Sequence, residues 1–425
     1  MNKKCRFCSQ SLRYSFVDLG MSPLSNAYLK ETNIQDMERF YPLHAYVCEN
    51  CFLVQLEEFE SPENIFNDYA YLSSYSDTWL KHAQTYTELM IQRLGLNSTH
   101  LVVELASNDG YLLQYFKKKG IPVLGVEPAV NAARVAEEKG IPTVTKFFGV
   151  RTARELIEGG KQADLLVGNN VLAHVPDLND FVEGMNILLK PGGVITMEFP
   201  HLMQLIEKKQ FDTIYHEHFS YFSFTTVERV FAAHGLTLFD VEELTTHGGS
   251  LRIYACHKHA CHKDVCHKAD DSKPIIDKPI TERIAELKRR EEAFGIANLK
   301  TYQGFAERVK ETKRKILHFC ILFKEEGKRI VGYGAPAKGN TLLNYCGMRT
   351  DFLDYTVDLS PHKQGHFLPG THIPIEHPDK VRETKPDYLA ILPWNIKDEI
   401  MMQMDYIREW GGKFVVLIPE VEIIP

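Results

Sequence analysis

The sequence lacks any long apolar run. No stretch of its 425 residues approaches the roughly 20 consecutive apolar residues that a membrane-spanning helix needs. The first residues, MNKKCRFC, also lack the apolar core of a secretory signal peptide. Positive charge is not in excess, because the net charge is -7, which argues against a nucleic-acid-binding surface. We therefore expect a cytoplasmic protein with no membrane segment and no nucleic-acid partner.

The overall composition is typical of a soluble globular protein. Hydrophobic residues make up 44% of the sequence and charged residues 25%. The length exceeds that of one ordinary domain and predicts two or three domains with a full core.

The nine cysteines are odd in number, and four of them stand in two C-x-x-C pairs. This pattern indicates thiolate ligands rather than a disulfide framework. Two such pairs can close a tetrahedral Zn²⁺ site with no open position, so the metal would be structural. A redox dithiol and metal-free buried cysteines are the alternatives. The expected ligands are Cys5, Cys8, Cys48 and Cys51.

Residues 101–115, LVVELASNDGYLLQY, have the pattern of a buried strand, a polar turn and a helix. The turn contains one glycine, Gly110, whereas a dinucleotide turn needs G-x-G-x-x-G against the pyrophosphate. Glu127 ends the next predicted strand, where doubly wound folds bind the hydroxyls of a ribose. An acidic strand end beside small residues fits S-adenosylmethionine; a dinucleotide and an empty structural turn are the alternatives. The expected cofactor-binding residues are Glu104, Ala106, Ser107, Asn108, Gly110, Glu127, Pro128 and Asn169.

Strands and helices alternate from residue 101 to residue 198, which predicts an α/β fold with a mostly parallel sheet. Ligands of open α/β sheets lie beyond the carboxyl ends of the strands. We therefore expect Asn169, His174, Glu198 and His201 to face the same crevice as Glu127. A structural role is the alternative for a lone histidine such as His174.

The densest cluster of titratable groups is IYHEHFSYFS, residues 214–223. A carboxylate can orient a neighbouring imidazole, the ordinary histidine pKa of about 6.5 suits proton abstraction near neutrality, and phenols can hold an oxyanion. The cluster therefore predicts acid–base chemistry, with a metal site and a structural cluster as alternatives. The tyrosine- and serine-rich stretch 66–76 is either a solvated turn or a wall of the active site.

Three later segments complete the chain. TTHGGSLRIY, residues 245–254, is either a plain hairpin or a phosphate site at Ser250 and Arg252. The Cys-His repeat at 256–271 is interpreted as a solvated loop rather than a metal site, and charged helices follow it. Residues 329–343, RIVGYGAPAKGNTLL, predict a second strand–turn–helix unit. This unit either packs only or binds a nucleotide-linked substrate through residues 334–340, with Lys338 near a phosphate.

The sequence resembles the sugar C-methyltransferase family, which methylates C-3 of nucleoside-diphosphate 4-keto-6-deoxyhexoses. The resemblance rests on the motifs ELASNDG, NNVLAHVPD, YHEHFSYFS, HGGSLR and GYGAPAKGNTLLN, together with KQGHFLPGTHIPI. The resemblance extends over nearly the whole chain, although the repeat at 256–271 has no counterpart. It implies four parts: a zinc-binding domain (1–76), a class I, Rossmann-like methyltransferase domain (77–257), a variable loop with connecting helices (258–327), and a C-terminal Rossmann-like domain that helps to hold the nucleotide sugar (328–425).

The resemblance also implies roles for single residues. His218 would take the C-3 proton, which the C-4 ketone makes removable, and Glu217 would support His218. Tyr215, His174 and Tyr71 would surround the sugar and the enolate oxygen, with Tyr69 and Tyr75 as alternatives to Tyr71. The residues expected around the rest of the substrate are Glu198, His201, Ser250, Arg252, Lys338 and Asn340. The rival hypotheses are an O- or N-methyltransferase acting on a nucleotide-linked sugar and a non-enzymatic binding module.

Overall fold

The computed structural model describes residues 3–66, 72–258 and 280–425. Within these ranges no helix is long and apolar enough to cross a membrane. Tyr69, Tyr71 and the repeat from residue 259 onward lie outside the described residues, so the predictions made for them are not addressed below.

The N-terminal region is a small antiparallel sheet with one face on a core. Its elements are β1 (Tyr14–Ser22), β2 (Leu29–Lys30), β3 (Tyr41–Val47), β4 (Val54–Leu56) and helix α1 (Pro62–Phe66). β3 alternates partly exposed and buried residues, as a half-buried strand does. The sheet has the order β1, β3, β4 and then Ser220–Tyr221, a two-residue strand from the 214–223 cluster. The N-terminal region is therefore hydrogen-bonded directly to the segment that carries His218.

Helix α2 (Asp77–Leu94) leads into the central region, and the helical spacing of Trp79, Ala83, Tyr86 and Met90 predicts a helix over these residues. The side chain of Ser76 accepts a hydrogen bond from the Trp79 backbone and begins the helix, and Gly95 ends it with a left-handed conformation.

The central region is an α/β sheet of seven strands. Its strands are β5 (Val102–Leu105), β6 (Val123–Val126), β7 (Thr143–Val144), β8 (Ala163–Asn169), β9 (Leu189–Pro200), β11 (Leu236–Leu244) and β12 (Ser250–His257). The strand Ser220–Tyr221 of the N-terminal sheet is β10. Its helices are α3 (Leu113–Lys118), α4 (Val130–Glu138), α5 (Val150–Glu158), α6 (Leu178–Leu188), α7 (Leu202–Glu207) and α8 (Phe224–Ala233).

The strand order of this sheet is β11-β12-β9-β8-β5-β6-β7. The five strands from β9 to β7 run parallel, and β12 and β11 are antiparallel to their neighbours. β5, β6 and β8 are buried along their whole length because helices cover both faces of the sheet. The prediction of a mostly parallel class I methyltransferase sheet is confirmed.

The C-terminal region holds a second parallel sheet. The connecting helices are α9 (Glu282–Phe294), α10 (Leu299–Gln303) and α11 (Phe305–Glu325). The elements that follow are β13 (Ile330–Tyr333), α12 (Ala337–Cys346), β14 (Thr356–Val357), β15 (His366–Phe367), β16 (Ile375–Glu376), α13 (Lys380–Thr384), β17 (Tyr388–Ile391), α14 (Lys397–Gln403), β18 (Lys413–Val416) and β19 (Glu422–Ile424). β15 pairs with β2 of the N-terminal region, and the other strands form the sheet. Its order is β16-β14-β13-β17-β18-β19, with β19 antiparallel.

The N-terminal region shares a core with each of the other two. Phe16 of β1 stacks on Phe305 of α11 with ring centroids 4.4 Å apart, and the same apolar cluster includes Leu342 of α12. Cys48 and Cys51 instead pack into the core of the central sheet. The three regions therefore meet, and the carboxyl ends of β5 and β13 open into the cavity between them.

Candidate active site

A cavity of about 760 Å³ lies where the three regions meet. The central sheet contributes Asn108 and Glu127 to its wall, the 214–223 cluster contributes His218, and the C-terminal region contributes Lys338. The volume is in the range of small-molecule binding sites. The cavity thus brings together predicted residues that are far apart in the sequence.

The turn after β5 fixes the carboxylate of Glu127. Ala106 and Asn108 adopt left-handed conformations, with φ of 54° and 49°. The backbone N–H of Asn108 donates to Oε2 of Glu127 (2.8 Å), and that of Ala129 donates to Oε1 (2.8 Å). The carboxylate is therefore held rigidly at the end of β6, on the cavity wall, in the position of a ribose-binding acid.

This end of the cavity is acidic and contains a buried polar atom that a ligand would satisfy. Burial raises the pKa of Glu127 to about 7, although its two backbone hydrogen bonds lower it. Glu104, also predicted to bind the cofactor, is not on the cavity wall; burial raises its pKa well above the usual value, and the Tyr111 hydroxyl opposes this. The side-chain nitrogen of Asn169 is buried and has no hydrogen-bond partner among the described residues. These features fit S-adenosylmethionine, which brings positive charge and hydrogen-bonding groups.

The segment just before α2 covers this turn. The backbone N–H of Ser73 donates to Oδ1 of Asn108 (2.9 Å), and that of Ser74 donates to Oδ2 of Asp109 (3.3 Å). Tyr75 lines the cavity. The described part of the 66–76 stretch is thus a wall of the cavity.

His218 has a fixed orientation. Its Nδ1 donates to the backbone carbonyl of Thr213 (2.9 Å), which leaves Nε2 as the acceptor, 2.8 Å from the Tyr215 hydroxyl. The ring of His174 lies edge-on, with its centroid 4.6 Å from that of His218. Burial and the neighbouring His174 lower the pKa of His218 well below its usual value. Burial also lowers the pKa of His174, to about 4. The two imidazoles are therefore neutral at neutral pH.

Glu217 lines the cavity but contacts a different partner from the one the sequence predicts. Its Oε1 accepts a hydrogen bond from Nδ2 of Asn26 (2.6 Å), in the loop after β1. The group that orients His218 is the Thr213 carbonyl. The sequence contains no local signal that relates Asn26 to Glu217, because 191 positions separate them.

Lys338, in the first turn of α12, lines the cavity. Its Nζ donates to Oδ1 of Asn395 (3.1 Å) and lies 5.0 Å from the ring centroid of Trp394. Burial lowers the pKa of Lys338 to about 8, and the charge of Asp212 opposes this shift. Lys338 therefore supplies a positive charge to a cavity whose titratable residues are mainly acids and histidines.

Glu198 and Arg252, predicted to bind substrate, form a buried ion pair instead. Nη2 of Arg252 donates to Oε2 of Glu198 (2.9 Å), and Nε2 of His82 lies at the same distance from that oxygen. The Ser250 hydroxyl donates to the Thr246 carbonyl (2.9 Å). None of these three predicted residues is on the cavity wall. Antiparallel pairing of β12 with β9 joins their side chains across the sheet, which the sequence pattern alone does not reveal.

Four further predicted residues also lie away from the cavity wall. His201 is buried, with Nε2 2.7 Å from Oε1 of Glu291 on α9. A side chain at Gly110, where φ is 74°, would collide with Ile141, so this glycine is needed for packing within the domain. The side chain of Ser107 faces Gly125. The fourth residue, Asn340, is buried in α12.

Several residues that the sequence reasoning missed do line the cavity. Asn26 and Tyr28 reach it from the N-terminal region, and the Tyr28 hydroxyl donates to the Ala335 carbonyl (2.6 Å). Trp79 of α2 stacks on Tyr111, with ring centroids 5.9 Å apart. The remaining charged or titratable ones include His247, Asp358 and Lys363. Asp358 directly follows β14, and its position at a strand end is a signal that the sequence offers.

The four predicted zinc ligands form one cluster. The Sγ atoms of Cys5, Cys8, Cys48 and Cys51 all lie within 4.8 Å of one another. Nε2 of Gln55 donates to Sγ of Cys5 (3.2 Å). Four thiolates at this separation, with a supporting hydrogen bond, are the donor set of a structural Zn²⁺ site. A closed site of this kind would hold the N-terminal region together and has no position for a substrate.

Three features define a class I, S-adenosylmethionine-dependent methyltransferase: the seven-stranded sheet, the turn after β5 that fixes the Glu127 carboxylate, and the adjoining cavity. Family models match three parts of the chain: a zinc binding domain over residues 5–66, a methyltransferase domain over residues 79–241 and a C-methyltransferase C-terminal domain over residues 245–419. The chain is 34% identical to C-methyltransferase NovU of Streptomyces niveus over 424 residues, which is 99% of this chain and 96% of that protein. The chain belongs to the C-methyltransferase family.

Two other similarities each cover less than half of the chain. A ubiquinone biosynthesis O-methyltransferase of Methylobacterium sp. (strain 4-46) is 30% identical over 97 residues, 22% of this chain and 38% of that protein. Among solved structures, the PH0226 protein from Pyrococcus horikoshii OT3 is 18% identical with a TM-score of 0.37, and the match covers 47% of this chain and 100% of that one.

Proposed function

We propose that this enzyme methylates C-3 of a nucleoside-diphosphate 4-keto-6-deoxyhexose, through an enolate that forms when His218 takes the C-3 proton. The observation that carries the proposal is the orientation of His218, which lines the cavity and has Nε2 2.8 Å from the Tyr215 hydroxyl. Membership of the C-methyltransferase family supports carbon as the acceptor atom. A carbon acid needs a base, and the position of the neutral His218 on the cavity wall supports its assignment to that role.

The environment of His218 suits proton abstraction from a weak acid. Because Nδ1 donates to the Thr213 carbonyl, Nε2 carries the lone pair at neutral pH, and it can take a proton when the Tyr215 hydroxyl turns away from it. Burial disfavours the charged imidazolium form of His218. An anion that forms next to the protonated ring therefore stabilises it by electrostatic attraction. The enolate is such an anion. A positioned general base of this kind contributes roughly 10²- to 10⁴-fold to a rate.

The residues beside His218 can hold the developing oxyanion. The Tyr215 hydroxyl, at hydrogen-bond distance from His218, can turn to donate to the enolate oxygen. Lys338 is close enough for its charge to lower the pKa of His218 further. We assign the oxyanion to Tyr215 and the diphosphate to Lys338, with His174 as a wall of the sugar site; Tyr71 remains a predicted neighbour of the sugar.

When bound, S-adenosylmethionine supplies an electrophilic methyl group. Glu127 and Asn169 hold the adenosine half, with Glu127 accepting from the ribose hydroxyls. The Ser73–Tyr75 segment, fixed to Asn108 and Asp109, excludes water from that end. Positioning the nucleophilic carbon within reach of the methyl group accounts for much of the remaining rate gain.

The decisive experiment is deuterium exchange at C-3. A 4-keto-6-deoxyhexose nucleotide incubated in D₂O with S-adenosylhomocysteine should exchange its C-3 hydrogen, as followed by mass and NMR. Exchange should fall by at least about 100-fold in His218→Ala, because the base is removed. The matched control is His318→Gln, an exposed histidine on α11, which should exchange at the wild-type rate.

The alternative, an O- or N-methyltransferase on a nucleotide-linked sugar, needs no carbon acid. It predicts methyl transfer without any exchange at C-3, and that outcome would exclude the proposed enolate. Exchange that persists in His218→Ala would assign the base to another residue. A panel of 4-keto sugars linked to different nucleotides, assayed by mass gain, would identify the substrate.

A further inference from the structure

The carbonyl that orients His218 belongs to a short segment that the C-terminal region contacts at two residues. It is the carbonyl of Thr213, in the one-turn 3₁₀ helix Phe211–Thr213 (the 211–213 turn). The ring of Phe211 packs edge-on against Tyr345 of α12, with ring centroids 5.2 Å apart. Oδ2 of Asp212 accepts a hydrogen bond from Nε1 of Trp394, in the loop after β17 (2.6 Å). Both residues that precede Thr213 are therefore held by the C-terminal region.

The hydrogen bond between Trp394 and Asp212 has a buried acceptor. Asp212 is only 1% exposed, and burial raises the pKa of its carboxyl to about 6, although the charge of Lys338 opposes this shift. A buried carboxylate that loses a hydrogen-bond donor is destabilised by more than the bond itself contributes. The indole N–H therefore fixes the Asp212 side chain, and with it the backbone next to the Thr213 carbonyl.

Trp394 is itself restrained by contacts on its ring. Nζ of Lys338 lies 5.0 Å from the ring centroid. A side chain at Gly248, where φ is 89°, would collide with the same ring, so the indole packs directly against the turn before β12. The carbonyl of Gly248 in turn accepts from Nε2 of Gln210 (3.0 Å), the residue before the 211–213 turn. These contacts hold the indole in place to donate to Asp212.

Trp394 is not on the cavity wall, so any effect on the reaction passes through its neighbours. We propose that Trp394 is a positioning residue for the base: its hydrogen bond to Asp212 holds the Thr213 carbonyl where it accepts from Nδ1 of His218, and this keeps Nε2 unprotonated. No proton passes through Asp212; only the position of one carbonyl is transmitted. The catalytic meaning of this inference rests on the proposed function, whereas the tautomer of His218 is measured without any substrate.

The first test is ¹⁵N NMR of the zinc-loaded full chain, labelled at histidine and saturated with S-adenosylhomocysteine. The shifts of the two ring nitrogens show which one carries the proton, and comparison with His218→Ala assigns the His218 signals. At neutral pH we expect wild type to show the Nδ1–H tautomer. Trp394→Phe keeps an aromatic ring but has no N–H donor, and we expect its population of the Nε2–H tautomer to be at least about tenfold higher, because the carbonyl that selects Nδ1–H is no longer fixed. An unchanged His218 spectrum would overturn the proposal.

Three variants assign the effect to this hydrogen bond. The matched control is Trp410→Phe, in which an indole that donates to the Pro386 carbonyl (3.0 Å), away from the cavity, is lost; it should keep the wild-type spectrum. Asp212→Asn retains an acceptor oxygen for Trp394 and should keep the Nδ1–H tautomer, whereas Asp212→Ala should behave as Trp394→Phe does. An Asp212→Asn spectrum with mixed tautomers would overturn the assignment. If Asp212→Ala does not fold, Trp394→Phe and Asp212→Asn decide.

The second test separates positioning from substrate binding. In Trp394→Phe we expect kcat for methyl transfer to fall by roughly tenfold, while KM for the sugar nucleotide and the Kd for S-adenosylhomocysteine stay within about twofold. A higher KM with an unchanged kcat would overturn the positioning role. Failure of the proposed function has a different signature, since wild type itself would then show no exchange at C-3, and the tautomer comparison would still decide whether Trp394 positions His218.

Discussion

Nδ2 of Asn26 donates a hydrogen bond to Oε1 of Glu217 across 2.6 Å, and this bond joins the N-terminal region to the 214–223 cluster. The Tyr28 hydroxyl in turn lies 3.2 Å from Oδ1 of Asn26 and donates to Ala335 of the C-terminal region. One short loop after β1 therefore contacts the other two regions at the cavity. The N-terminal region is a wall of the active site as well as a metal-binding module.

Asn26→Ala should lower methyl transfer without weakening cofactor binding. Loss of the amide removes one hydrogen bond from the Glu217 carboxylate, next to His218 in the sequence. We expect kcat to fall by roughly tenfold, equivalent to about 1.4 kcal/mol, while the Kd for S-adenosylhomocysteine stays within twofold. Steady-state kinetics and calorimetry check both values. Asn33→Ala, an exposed asparagine of the same region, is the control, and an unchanged kcat in Asn26→Ala would remove the loop from catalysis.

Removal of zinc should disturb the cavity wall through Arg6, which lies in the sequence between the predicted zinc ligands Cys5 and Cys8. Nη1 of Arg6 donates to the Pro176 carbonyl (2.6 Å), two residues after His174. We expect Cys48→Ser to lose bound zinc, lower the Tm by roughly 10 °C or more and lose most turnover. Metal analysis and thermal melts are the measurements. Cys320→Ser, a buried free cysteine outside the cluster, should keep its zinc; a Cys48→Ser enzyme with full zinc and normal stability would contradict the site.

The raised pKa of Glu127 predicts that adenosine binding strengthens as pH rises. A group with a pKa of about 7 is mostly protonated at pH 6 and mostly ionised at pH 8, and the ionised form is the better acceptor for ribose hydroxyls. We expect 5′-methylthioadenosine, which lacks a titratable amino group, to bind about tenfold more tightly at pH 8 than at pH 6. Glu127→Gln should show no such dependence. A wild-type affinity that is constant over this range would contradict the prediction.

The sequence predicted those parts of the fold that depend on local pattern. Helix α2 follows from a capping serine, a helical apolar stripe and a terminal glycine, all within the segment itself. Glu127 and His218, which the sequence predicts for the site, both line the cavity, and each belongs to a local motif. Such features need no knowledge of the rest of the chain.

The missed or misplaced residues depend on contacts that no local pattern contains. Glu198 ends a strand at the correct edge of the sheet, but its side chain meets Arg252 on the neighbouring strand. Asn26 reaches Glu217 only because β4 pairs with the strand after His218. A strand end indicates the edge of a sheet, whereas the direction of each side chain and its distant partner are set by the tertiary packing.

His201 provides the clearest test of this distinction, because its predicted role was substrate binding and its observed partner is Glu291. The carboxylate of Glu291 is fully buried and accepts from His201, from the backbone of Phe224 (2.6 Å) and from the backbone of Thr225 (2.8 Å). We expect His201→Ala to lower the free energy of unfolding by about 2 to 3 kcal/mol, because a buried carboxylate loses one partner and keeps others. Its kcat/KM should stay within twofold of wild type.

The control for this prediction is His234→Ala, which breaks a partly exposed pair with Glu183 and should lower the free energy of unfolding by less than about 1 kcal/mol. Urea denaturation measures both, and a His201→Ala enzyme that keeps its stability but loses turnover would return His201 to the substrate site.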